Sequence, residues 1–134
     1  MDVFTPEQRS AVMRQVKSKD TTPEKLVRSI VHRLGRRFRL HGADLPGKPD
    51  LVFPRSRQVI FVHGCFWHGH DCPAGLNRPR SNSEYWTAKL DRNMRRDHAN
   101  QAELRRLGWR VMTVWECETR DPERLTKRLS RFLA

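Results

Sequence analysis

A chain of 134 residues, 37% of them apolar, has room for one domain built on a small core. Its 27 Lys and Arg (21 Arg, six Lys) outnumber 15 Asp and Glu, a net charge of +12 that points to a polyanionic partner, nucleic acid first. The longest apolar run, residues 59–62, is too short to span a bilayer, the start holds no apolar signal segment, and three cysteines make no disulfide framework, so the expectation is a cytoplasmic protein without a membrane span.

In chain order, Thr5-Pro6-Glu7-Gln8 has the form of a helix start. The helix it opens carries only Val12, Met13 and Val16 among Arg9, Arg14, Lys17 and Lys19, a thin stripe suited to ordering against a partner. Thr22-Pro23-Glu24 repeats the start signal, and Leu26, Val27, Ile30, Val31 and Leu34 give a firm amphipathic helix that Gly35 ends. Strands are predicted over 37–41, 50–53 and 58–63, the last apolar and β-branched enough to be central. Residues 64–80 have no regular period and read as a structured loop. Ser81-x-x-Glu84 predicts a capping box for a long helix burying Trp86, Leu90, Met94 and Leu107 and ending at Gly108. A strand over 109–115, with Trp109, Val111, Thr113 and Trp115 on one face, and a helix over 121–132 complete an α-α-β-β-β-α-β-α order. That order predicts an α/β fold, a mixed sheet flanked by helices, in a single domain of residues 1–134.

Chemistry concentrates in His63-Gly64-Cys65-Phe66-Trp67-His68-Gly69-His70-Asp71-Cys72. Thiolate and imidazole suit Zn2+, which takes four tetrahedral ligands in structural sites. With Cys117 there are six candidates for four places. Cys65, His70, Cys72 and Cys117 are the favoured set, because a bond to Cys117 would pin the loop to the last strand. His63 and His68 then remain as a general acid–base pair or as hydrogen-bonded structural histidines, and spacing does not separate these. Asp50, opening a strand after a Pro-Gly loop, is placed like the Mg2+ carboxylate of many nucleases, although the next strand lacks the acid-x-Lys that often follows. Glu24 sits in a first helical turn, where a plain capping residue also sits. Phe66 and Trp67 could stack on or wedge between bases, or cover the zinc site; Trp86 could join them or the core.

These residues resemble the very short patch repair (Vsr) endonucleases. The matching stretches are Met13-Arg14-x-Val16, Asp20-Thr21-x-Pro23-Glu24, Leu45-Pro46-Gly47-Lys48-Pro49-Asp50, the block from Ile60 to Cys72, Glu84-Tyr85-Trp86, Lys89, Asn93, Arg96-Asp97, and Leu107-Gly108-Trp109-Arg110-Val111 through Cys117. The resemblance implies a restriction-endonuclease-like fold and Mg2+-dependent nicking of one DNA strand at a T:G mismatch. It assigns Asp50 to Mg2+ together with the backbone carbonyl of Val62, a position where the best-known pattern has Thr. It makes His63, His68 and Glu24 catalytic-site residues and Cys65, His70, Cys72 and Cys117 the ligands of a structural zinc. It sends Phe66, Trp67 and Trp86 into the duplex from the major groove. It places Met13 and Val16, on a DNA-contacting helix within residues 1–20, at the minor groove, and it gives Asn93 a DNA contact. The expected chemistry has His68 as general base and His63, oriented by Asp97, at the phosphate, with the two roles exchangeable. A monomer acting near the nucleoid, with other mismatch-repair proteins as partners, is expected. The rival readings are a non-catalytic zinc-stapled DNA-binding module and an RNA-scaffolding zinc protein.

Overall fold

A computed structural model describes residues 21–76 and 81–134; the helix expected within residues 1–20, with Met13 and Val16, lies outside them. The first described helix, α1 (Thr22–Arg33), is capped by Thr21. Thr21 Oγ1 accepts from the Glu24 N–H at 3.4 Å and Glu24 Oε2 from the Thr21 N–H at 3.1 Å, a reciprocal capping box. The cap lies one residue before the expected Thr22, which puts Glu24 at the third helical position, the one from which a carboxylate reaches back. Gly35, at φ +76°, turns the chain away at the far end, a conformation that costs glycine little.

Four strands form one sheet in the order β1 (Arg39–Leu40), β2 (Leu51–Phe53), β3 (Gln58–His63), β4 (Arg110–Trp115). β1–β2 and β2–β3 pair antiparallel, while β3 and β4 run parallel from Gln58↔Arg110 to His63↔Trp115. A parallel pair needs a long crossover. Here it contains the short α2 (Pro73–Leu76) and the 24-residue α3 (Ser83–Arg106). A 3-10 turn (Glu116–Arg120) and α4 (Pro122–Leu133) follow β4.

β3 has the bounds its β-branched run predicts. β1 is shorter than the expected 37–41, because both its residues are exposed at the sheet edge and His41, at φ +52°, leaves the extended conformation. The capping box expected at Ser81 does not form. The helix starts at Ser83 behind Asn82, which sits at φ +56° and makes no side-chain cap bond; Asn tolerates that region better than most residues. Leu107 is exposed at the helix end, and Leu104, one turn earlier, is the buried leucine.

Alternation along the strands divides the core in two. Leu51, Phe53, Ile60, Met112 and Val114 meet α1 (Val27, Ile30, Val31) and α4 (Leu125, Leu129, Leu133) on one face. Val52, Val59 and Phe61 meet Leu104 of α3 on the other, with Leu45, Trp109 and Val111 packed at the margin. The strand alternation places Asp50 and His63 on the α3 face, beyond the ends of that smaller core. The last carbonyls of α4, which a helix cannot satisfy itself, accept from Arg36 (Leu133 O), Gln58 and Arg110 (both Phe132 O), fixing α4 to the sheet.

Leu129 is fully buried between α4 and the sheet. Leu129→Ala is expected to lower stability by about 2–5 kcal/mol in urea melts, with an unchanged m-value.

Candidate active site and metal centre

The parallel β3–β4 register decides where the cysteines meet. His63 and Trp115 are a matched pair, so Cys65 and Cys117, each two residues further on, emerge side by side. The Cys117 N–H donates to Cys65 Sγ at 3.4 Å. Tight turns bring the loop back over them: the His68 N–H donates to Gly64 O at 3.2 Å and the His70 N–H to Cys65 O at 3.0 Å. Gly69 serves two needs, a φ of +60° and an approach to Met94 Sδ that would leave an added Cβ only 2.5 Å away.

The ligand atoms of Cys65, His70, Cys72 and Cys117 all lie within 4.8 Å of one another, so the structure gathers the whole expected set. A tetrahedral zinc with bonds of about 2.0–2.3 Å holds its donors roughly 3.3–3.8 Å apart. His70 Nδ1 faces Cys117 Sγ at 3.6 Å, while its Nε2 lies 3.4 Å from Asp71 Oδ1. The His70 ring stacks on Trp115 at 4.1 Å and 15°. Burial pushes the Cys65 thiol up to about 12 and also raises Cys117. Such thiols ionise when a cation displaces their protons. Donor type suits zinc, the His70 Nδ1–Cys117 Sγ separation lies in that range, and all four donors are near enough to share one ion.

At the other side of the β3 end, Asp50 Oδ2 accepts the Val62 N–H at 2.6 Å, and the Glu24 carboxyl is near enough to act on its charge. Burial first, then Glu24, lift Asp50 up to about 8. Glu24 is 2% exposed and is held by the Thr21 N–H, by Arg28 at 3.4 Å and by His41 at 3.3 Å. The two readings of Glu24 are compatible, since it caps α1 and also meets Asp50. Arg28 was visible as an i+4 partner of Glu24. His41 was not, because only the fold brings it across from the end of β1.

His63 and His68 stack face to face, 3.7 Å apart and 4° from parallel. His63 is 6% exposed; burial first, then the neighbouring imidazole, lower it to about 4, against the pull of Asp97. Asp97 Oδ2 lies 2.6 Å from His68 Nδ1, so it orients His68 and not His63 as expected. With Nδ1 occupied by the carboxylate, Nε2 is the nitrogen left to exchange a proton. A groove of about 820 Å3 opens beside these groups, lined by Lys48, Asp50, His63, His68, Arg96 and Asn100 among others.

Phe66 and Trp67 lie half-buried at the loop tip in edge contact, 5.1 Å apart. Trp86, 8% exposed on α3, backs both rings at 5.6 and 5.9 Å. Lys89 Nζ stands 5.6–5.9 Å from the Trp67, Tyr85 and Trp86 rings. Asn93 Nδ2 donates to the Trp67 carbonyl at 3.0 Å and its Oδ1 accepts from Arg96 at 2.8 Å, tying the aromatic loop to α3.

A family model described as DNA mismatch endonuclease Vsr matches residues 1–74. The chain is 52% identical over 132 residues to the Type II nicking enzyme V.XorIIP of Xanthomonas oryzae pv. oryzae, covering 98% of this chain and 96% of that one. It is 42% identical over 132 residues to the Type II nicking enzyme V.NmeAIP of Neisseria meningitidis, with 98% and 94% covered. It is 43% identical over 125 residues to the DNA mismatch endonuclease Vsr of Escherichia coli, with 93% and 80% covered.

Elemental analysis is expected to give about one zinc per chain, and Cys117→Ser to lose most of it together with thermal stability; a ratio near zero in wild type would contradict the four-ligand site. Because His63 stays neutral to about pH 4 in the folded chain while the unfolded chain protonates near 6.5, its contribution to stability is complete above pH 6.5. It is lost as the pH falls towards 4, by about 2 kcal/mol at pH 5. Urea melts at pH 7 and pH 5 should show this loss shrinking in His63→Gln.

Proposed function

From the premise that this chain belongs to the Vsr family of DNA mismatch endonucleases, we propose that it nicks one strand of duplex DNA at a T:G mismatch, using Mg2+ at Asp50 and His68 as general base. Its relatives are named endonucleases and nicking enzymes, and the chain is a DNA endonuclease. A zinc-stapled module without catalysis, or an RNA scaffold, is therefore set aside. The carrying observation is the meeting, along one groove, of the half-buried Asp50, with Glu24 acting on its charge, and the Asp97–His68 pair.

Desolvation and a neighbouring carboxylate favour the protonated form of Asp50 unless a cation offsets them, as in an oxygen-ligand divalent site. Asp50 and the Val62 carbonyl would supply hard oxygen donors of the kind Mg2+ favours, with the Glu24 carboxylate nearby. When bound there, the ion supplies charge neutralisation at the scissile phosphate and at the leaving oxygen. His68 Nε2 takes the proton of the attacking water, while Asp97 holds the ring's orientation and stabilises the imidazolium that forms. His63, kept neutral by burial, hydrogen-bonds the phosphate or the leaving group without adding a competing charge. Lys48 and Arg96 on the groove wall draw the backbone in.

Phe66 and Trp67 form the wedge at the mismatch, with Trp86 as the ring behind them. A T:G wobble unstacks at lower cost than a matched pair, so aromatic insertion favours it. The α1–β1–β2–β3 arrangement, with a carboxylate at the head of β2, is in keeping with a restriction-endonuclease-like core. Residues 1–20 would add the minor-groove helix carrying Met13 and Val16, so that residues 1–134 act as one unit. The zinc at Cys65, His70, Cys72 and Cys117 is structural. No described helix is long and apolar enough to cross a membrane. The proposed setting is a cytoplasmic monomer at the nucleoid that works with other mismatch-repair proteins.

End-labelled duplex with one T:G mismatch, its matched control and single-stranded RNA, each with and without Mg2+, test this. The expected result is a single cut in one strand of the mismatched duplex, in Mg2+ only. Asp50→Asn and His68→Ala should each lower kcat by about 100-fold or more. Equal cutting of matched DNA would remove the mismatch reading, and equal rates for wild type and Asp50→Asn would remove the catalytic assignment.

A further inference from the structure

The catalytic groove leaves unused a set of cations on α4. Leu125, Leu129 and Leu133 bury one side of that helix against the core. Arg124, Lys127, Arg128 and Arg131 recur at i, i+3, i+4 and i+7, so they form one continuous stripe on another side. All four are exposed, and they line an open groove of about 680 Å3 whose remaining wall includes Cys117, Glu118 and Asp121.

Both carboxylates in that wall are already engaged. Glu118 accepts two 2.7 Å bonds from Arg128 Nη1 and a 3.0 Å bond from the Trp115 N–H. Asp121 accepts from the Arg124 N–H at 3.2 Å as the cap of α4. No acidic partner is present for the Arg124, Lys127 or Arg131 side chains among the described residues. Three cations without an ion-pair partner among the described residues thus stand along about 10 Å of helix. Duplex DNA carries one phosphate charge per roughly 1.7 Å of its axis, and guanidinium suits phosphate as a planar fork. α4 covers the sheet face opposite the one that carries Asp50 and His63. A duplex lying in the catalytic groove therefore occupies the other side of the sheet.

We propose that the α4 stripe is a second, sequence-blind DNA-backbone site, which holds a second duplex segment while the catalytic groove holds the first. The inference takes the catalytic groove from the reading above. Such a protein bridges two segments and can pass between them without full release, an advantage to an enzyme searching much matched DNA for few mismatches.

The test uses the full zinc-loaded protein on an immobilised short T:G duplex, without Mg2+ so that no cutting occurs, and a fluorescent matched duplex as the second ligand. Wild type should capture the second duplex at low salt. The combined variant Arg124→Gln, Lys127→Gln, Arg131→Gln should lower capture at least ~10-fold and flatten the salt slope by about 2–3. Nicking of the short mismatched duplex, zinc content and melting temperature should stay unchanged. The charge-preserving set Arg124→Lys, Lys127→Arg, Arg131→Lys should retain capture. No capture by wild type, or equal capture by the Gln variant, would overturn the second site. So would stripe-dependent binding that goes to phosphatidylserine vesicles and not to duplex. Capture is read separately from cutting, so its failure would leave the catalytic reading standing.

Discussion

The parallel pairing of β3 with β4 sets the position of nearly everything chemical in this molecule. Its register ends at His63↔Trp115, and two further steps along each strand deliver Cys65 and Cys117 to the same place. A metal joining them would close the loop that begins at one strand end and lock it against the other. That loop carries His68, Phe66 and Trp67, which have too little core of their own to hold a fixed position. Trp115 makes the coupling physical. It stacks on His70 and meets His63 edge-on at 5.3 Å, so the candidate metal cluster and the histidine pair share one aromatic wall.

Environment, not residue type, separates the working groups. Desolvation, then the neighbouring Glu24, pushes Asp50 up, and burial beside a second imidazole pushes His63 down. The same fold leaves His68 at the groove, oriented by a carboxylate. Asp50 and His63, shifted in opposite directions beside one groove, are the pattern of a candidate functional site. The net charge of +12 surrounds this chemistry, and the α4 stripe shows that the excess is organised into a particular surface.

Much of this was legible in the sequence because it rests on local chemistry. The Cys/His density pointed to residues that the fold gathers into a cluster able to hold a metal, the β-branched run over Gln58–His63 matched its strand, and Thr-Thr-Pro-Glu marked a helix start to within one residue. What the sequence hid depended on distance or on unusual backbone. Asp97 lies 29 residues from His68 and 34 from His63, and no spacing rule says which it orients. His41 reaches Glu24 only because the chain takes a left-handed turn after β1. Asn82 replaced the Ser81 cap by adopting a conformation that a capping-box pattern does not describe. Leu104 and Leu107 sit at adjacent turns of one helix, and only the position of the sheet decides which is buried.

The central claim is that a metal at the Cys65, His70, Cys72 and Cys117 cluster, anchored on the β3–β4 pair, would hold the loop from His63 to Cys72 in place. Amide hydrogen exchange with and without a chelator, followed residue by residue, addresses it most directly. The account predicts that zinc removal strips protection from the His68 and His70 amides, now bonded to Gly64 O and Cys65 O, while the Val59–Val62 and Val111–Val114 amides stay protected. Loop amides that remain protected without zinc, or strands that open together with the loop, would contradict it.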